Sequence, residues 1–250
     1  METYVKTGLA IICLVILAAC GGGGDSVSLP TTSAEGLWSG STASDQTLTG
    51  FILDDGTYYI LYSPQGNSAL VAGYIQGNGT SSDGGFTSGN ARDFNFQGFG
   101  VLPATVSGSY TEKQAFTGSV TYGSSNVVTF STSYNMNYEA VPLLSALSGT
   151  FSGQSATSAG AVNTAFGISA NGVVSGTSTN GCTVTGTATP RTHGNIFDLS
   201  LTFGATPCSM PNQTLTGMAY YSVSTRRLLA ATQNGTRTEG FLFVGSKLMD

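Results

Sequence analysis

The sequence predicts an all-β protein, two small antiparallel eight-stranded barrels in tandem, on three observations. Apolar residues recur at every second position over many short stretches, Asn-Gly and Asp-Gly dipeptides separate those stretches, and the 250 residues include 35 Gly but only 8% charged side chains. Period-two alternation marks strands with one buried face. The dipeptides accept the positive φ angles of tight hairpin turns. Coiled coils and helical bundles are excluded, because they are built on charged heptads and not on glycine. A net charge of -5 with 8 Lys+Arg excludes nucleic acid as a partner, since phosphates call for a basic face. With 40% hydrophobic residues the chain has enough apolar surface to fold.

The N-terminus reads as an address. Lys6 precedes an uncharged apolar run from Leu9 to Ala19, the length of a signal-peptide core and too short to span a bilayer as a helix. Residues 1–19 are therefore expected to be a signal peptide. Residues 20–34 begin with Cys20 and continue in a Gly-rich stretch with the composition of a flexible tether. Two barrel domains follow, at 35–140 and 145–248, joined after Glu139-Ala140-Val141-Pro142.

Within the domains, alternation is clearest at Asn195 to Phe203, where Phe197, Leu199, Leu201 and Phe203 face one side. Comparable runs occupy 47–53, 57–63, 69–76, 104–110, 115–122, 127–133, 162–169, 173–179, 182–189, 214–222, 226–232 and 238–244. Turn dipeptides stand at Asp55-Gly56, Asn78-Gly79, Asp83-Gly84, Asn171-Gly172, Asn180-Gly181 and Asn234-Gly235. The two halves also echo each other. Gly36-Leu37-Trp38-Ser39-Gly40 corresponds to Gly149-Thr150-Phe151-Ser152-Gly153, and the Asp55-Gly56 turn to Asn171-Gly172. Val106 to Ser109 matches Val184 to Thr187, and Phe116 to Tyr122 matches Leu215 to Tyr221.

Leu17-Ala18-Ala19-Cys20 resembles the lipobox of bacterial lipoproteins. The resemblance implies that Cys20 is acylated, becomes the first mature residue and anchors the chain in membrane lipid. Gly21, standing where an Asp would retain such a protein at the inner membrane, implies delivery to the outer membrane. An ordinary secretory signal that contains a cysteine is the alternative. Lipobox, glycine tether and Gly-rich repeats over 36–247 together resemble surface lipoproteins of the transferrin-binding protein and factor H-binding protein type. Those proteins are rich in charge and this chain is not, which sets aside their host-protein partners.

With Cys13 in the signal and Cys20 lipidated, Cys182 and Cys208 remain. An even pair in an exported protein reads as one disulfide. A metal pair lacks support, because there is no Cys-x-x-Cys and the single His, His193, sits in a turn-like stretch. No G-x-S-x-G elbow, P-loop or H-E-x-x-H is present, so the sequence predicts no enzyme and no cofactor. Asp54-Asp55 reads as a hairpin turn in preference to a paired-carboxylate or calcium site. Tyr58, Tyr59, Tyr62 and Tyr74 read as core in preference to a pocket wall. The long Gly-rich stretch from 77 to 103 reads as irregular, and its Phe94, Phe96 and Phe99 form the expected binding patch. The function expected is that of a lipid-anchored binding or envelope-associated module. A carrier of a small apolar ligand inside one barrel is the alternative, to be decided by whether the barrels are hollow.

Overall fold

The computed structural model describes residues 32–249; the expected signal peptide, Cys20 and most of the tether lie outside them. The first half contains β1 (Gly36–Thr42), β2 (Thr47–Ile52), β3 (Thr57–Tyr62), β4 (Gly73–Asn78), β5 (Thr80–Ser82), β6 (Gly85–Asn95), β7 (Gly100–Thr111), β8 (Ala115–Tyr122) and β9 (Asn126–Tyr134). A 3-10 turn at Met136–Glu139 and one helical turn at Leu144–Leu147 link it to the second half. There the strands are β10 (Gly149–Thr157), β11 (Gly160–Ile168), β12 (Val173–Ser178), β13 (Thr183–Pro190), β14 (Phe197–Phe203), β15 (Thr214–Ser222), β16 (Arg227–Gln233) and β17 (Gly240–Lys247).

Both halves close into antiparallel eight-stranded barrels. In the first, β4 pairs with β6 and β9 pairs back to β1, with the short β5 lying against the other half of β6. In the second, β10 to β17 follow one another around the barrel, and β17 pairs with β10. The duplicated opening motif has a physical basis. Trp38 and Phe151 fill the two lumens, while Gly40 and Gly153 lie against the neighbouring strand, where a Cβ would come 2.0 Å from the Ser131 carbonyl oxygen and 2.1 Å from that of Val244. Only glycine allows strands so close. The Asp55-Gly56 and Asn171-Gly172 turns also hold equivalent places, between the second and third strands of each barrel. The two later matches do not. They set β7 against β13 and β8 against β15, which occupy different positions in their barrels, because small-residue motifs recur wherever strands cross closely.

The stretch from 77 to 103 is not irregular. It holds the end of β4, all of β5 and β6 and the start of β7, turned by Asp83-Gly84 with both residues at positive φ. A register shift between Ser88 and Ala91 breaks the alternation that would have announced β6. Asn78-Gly79 is a bend between β4 and β5 and not a hairpin.

Each lumen is lined with apolar side chains. A third cluster joins the barrels. Phe51, Tyr59, Tyr74 and Phe94 point outward from the first barrel against Met218, Tyr220, Leu229 and Leu242 of the second. The Tyr74 hydroxyl donates to the Thr232 carbonyl at 2.6 Å across this seam. Strands β3 and β16 are consequently buried on both faces. Away from the seam the outward positions are Ser and Thr, as at Thr183, Thr185 and Thr187 of β13 and Thr105, Ser107 and Ser109 of β7. A membrane-spanning barrel has the reverse pattern, an apolar band outside, so these barrel walls face water.

Candidate functional site

The two ends of the first barrel differ. At one end Trp38, Phe86, Phe116 and Phe130 pack edge to face, with ring centroids 5.2–5.7 Å apart. The Trp38 indole N–H donates to the Ala34 carbonyl at 2.9 Å, and the Tyr110 hydroxyl to that of Thr32 at 2.7 Å. The segment that precedes β1 thus seals this end. The opposite end is open, leading to a cavity of about 280 Å³ walled mainly by Leu48, Ile60, Ile75, Leu102, Val120 and Phe130.

One carboxylate lies in that wall. Beyond the register shift, β6 turns Ala91, Asp93 and Asn95 toward the lumen and Phe94 toward the second barrel. Asp93 is only 3% exposed. The Tyr62 hydroxyl donates to its Oδ1 at 2.6 Å and the Tyr122 hydroxyl to its Oδ2 at 2.9 Å, while Asn95 Nδ2 donates to the Tyr62 oxygen at 3.0 Å. Burial raises the Asp93 pKa, and the two tyrosine hydrogen bonds only partly offset it. The same burial, with the adjoining carboxylate, pushes the Tyr62 and Tyr122 hydroxyls well above their usual range. Among the described residues no Lys, Arg or His forms an ion pair with Asp93. A carboxylate offers about four acceptor positions, and two are taken. The site is therefore an apolar cup with one under-used negative group in its wall.

The second barrel provides an internal control. Its corresponding end is covered by the 204–213 loop, pinned by a disulfide between Cys182 and Cys208 with a Cα–Cα distance of 4.5 Å. Cys208 and Met210 are buried in the core beneath. Strand β14, equivalent to β6, turns only Phe197, Leu199, Leu201 and Phe203 inward. The void left in this lumen is about 20 Å³, below what an organic ligand requires. Only the first barrel is hollow.

A groove of about 350 Å³ runs along the seam past Asp55, Tyr59, Arg191 and Asp198. It is larger than the cup, but its charges are already satisfied. Arg191 of the second barrel reaches Asp54 at 2.6 Å, Asp55 at 3.3 Å and Asp198 at 2.7 Å. Burial would lower the Arg191 pKa, and the carboxylates outweigh it and raise it. For Asp55 burial is likewise outweighed, by the Thr57 N–H and Arg191, and its pKa is lowered. Asp54-Asp55 is thus a turn, as its sequence indicates, whose carboxylates also fasten the two barrels.

The structure separates the three phenylalanines of the expected patch. Phe94 is fully buried in the seam, Phe96 packs on its edge, and Phe99, 70% exposed, stands at the cavity mouth. Tyr58 and Tyr62 face the first lumen, and Tyr59 and Tyr74 face the seam. His193 is exposed in the loop between β13 and β14, 4.0 Å from the Glu35 carboxylate. Among the described residues no group of three His, Cys, Asp or Glu could hold a metal ion. Sequence reasoning missed Asp93. Its signal was the Ala91-x-Asp93-x-Asn95 alternation, concealed because Phe94 and Phe96 were the natural choice for the inward set.

No family model and no curated protein matches the chain. Among solved structures it is similar to a putative outer membrane protein from Bacteroides fragilis, with 19% identity over 85% of this chain and 96% of that one and a TM-score of 0.25. A likeness at that level leaves the chemistry of the cup to be read from its own residues.

Proposed function

We propose that this chain is an exported, lipid-anchored envelope protein, non-enzymatic, whose first barrel receives a small molecule through its open mouth while the second serves as a packed support. The observation that carries this reading is the contrast between two barrels of one architecture, one with a cavity of about 280 Å³ and one with about 20 Å³. The cavity is near the lower bound of small-molecule sites and, like them, is mostly apolar with a few polar groups. Thr32 to Glu35 pack at the sealed end, opposite the mouth. The low charge argues against electrostatic steering of a protein partner. Membrane attachment through acylated Cys20, and delivery to the outer membrane, are supported by Leu17 to Gly21.

Two measurements test the proposal. Phenethyl alcohol titrated into the protein should shift the methyl resonances of Leu48, Ile75 and Val120, and Val128→Trp, at the rim, should abolish those shifts. Methyl groups in the wild type that none of phenethyl alcohol, phenethylamine and 3-phenylpropionate moves would remove the binding role. Cys20→Ala should release the protein from membranes and end labelling by palmitate; undiminished membrane association would remove the anchor.

A further inference from the structure

The cup is not wholly apolar. Asp93 lies in its wall with a tyrosine hydroxyl on each oxygen, acceptor capacity to spare and no cationic side chain beside it among the described residues. A carboxylate buried in an apolar wall is costly unless it is paired or neutralised. The second barrel shows that this fold closes without one, since β14 places Leu and Phe in the lumen where β6 places Asp93 and Asn95. Four aromatic rings, those of Tyr62, Phe99, Tyr122 and Phe130, line the same cavity, and such rings attract cations through their faces. From this geometry we infer that the ligand of the first barrel is a small amine, its ammonium group paired with Asp93 and its apolar body held by the walls.

The inference deepens the small-molecule reading and depends on it. The ammonium brings the missing counter-charge and donors for the free acceptor positions of Asp93. Tyr62 and Tyr122 hold the carboxylate in place. The mouth, rimmed by the turns at 43–46 and 123–125, by the 63–72 loop and by the 96–99 turn, leaves an entry path. An anionic ligand is disfavoured by the same charge. A neutral ligand of the same shape gains the walls but not the ion pair, which is where selectivity arises.

The test uses the full mature chain and three probes of matched shape: phenethylamine, phenethyl alcohol and 3-phenylpropionate, each titrated by calorimetry at pH 7. Phenethylamine should bind at least about 10-fold more tightly than the alcohol, and the carboxylate more weakly than either. Asp93→Asn should remove the preference by weakening the amine about 10-fold. Alcohol binding that equals amine binding in the wild type would overturn the amine assignment and leave the cavity reading intact. This comparison needs no variant, so it holds even if Asp93→Asn fails to fold. Absence of binding by all three probes, with Val128→Trp indistinguishable from wild type, would overturn both.

Discussion

Asp93 shows how one side chain can be costly to the fold and useful to the protein. Burial raises its pKa above the usual carboxylate range, so the folded state keeps the proton to higher pH than the unfolded chain does. Folding is unpenalised while Asp93 is protonated in both states, loses stability as pH rises from the unfolded pKa through the raised folded one, and carries the full cost above it. Asp93→Asn, which removes the charge at nearly constant shape, should therefore raise Tm at pH 7 in the absence of ligand. The gain should shrink as the pH falls toward 4. Melting curves of the two proteins across that range check this, and a difference independent of pH would show that the Asp93 pKa is the same in the folded and unfolded chain. The tyrosines differ in how far they could be read beforehand. Their alternation along β3 shows that Tyr58 and Tyr62 share a face, but not that both faces are buried.

At the level of single elements, the loops at one end of each barrel set the difference between the domains. The 204–213 loop is long enough to fold over its barrel and is held there by Cys182–Cys208, whereas the 96–99 turn, at the equivalent place, is too short to cover the mouth. Bridging residues 26 apart removes unfolded-chain entropy equivalent to about 3 kcal/mol in the chain-entropy model. Cys182→Ser with Cys208→Ser should lower the stability of the second barrel by roughly that amount. Urea unfolding of the paired variant measures it, and an unchanged midpoint would mean the cap is held by packing alone. The cysteine count made the bridge legible. The cap was not, because which barrel end a loop covers depends on where its strands close in space. Strand β6 was concealed for a related reason: a bulge inverts the alternation partway along, and a pattern sought over a continuous window then cancels.

Over the whole molecule, the seam makes one folded body of two barrels. Phe51 meets Tyr220 with centroids 5.2 Å apart, and Tyr74 stacks on Phe94 at 4.7 Å. Arg191 crosses to Asp54 and Asp55 at the edge. Met218 is fully buried there. Met218→Asp places an unpaired charge in the seam, at a cost of several kcal/mol in an apolar site. Calorimetry should then show two separated transitions where the wild type unfolds in one. A single transition at the original Tm would mean that the barrels are not coupled through this surface.

Local chemistry encodes most of the strands through alternation, several of the turns through Asn-Gly and Asp-Gly, the disulfide through cysteine arithmetic, and the doubled plan through the paired aromatic and glycine motifs that open each half. Tertiary structure decided three further matters. It placed Phe94 in the seam and Asp93 in the lumen, made β3 and β16 two-sided, and left one barrel open while closing the other. Each depends on which surface covers a strand. Alternation tells two faces apart but cannot say what lies over either one, because the covering residues are distant in sequence, 158 positions between Tyr74 and Thr232 at the seam and 26 between Cys182 and Cys208 at the cap.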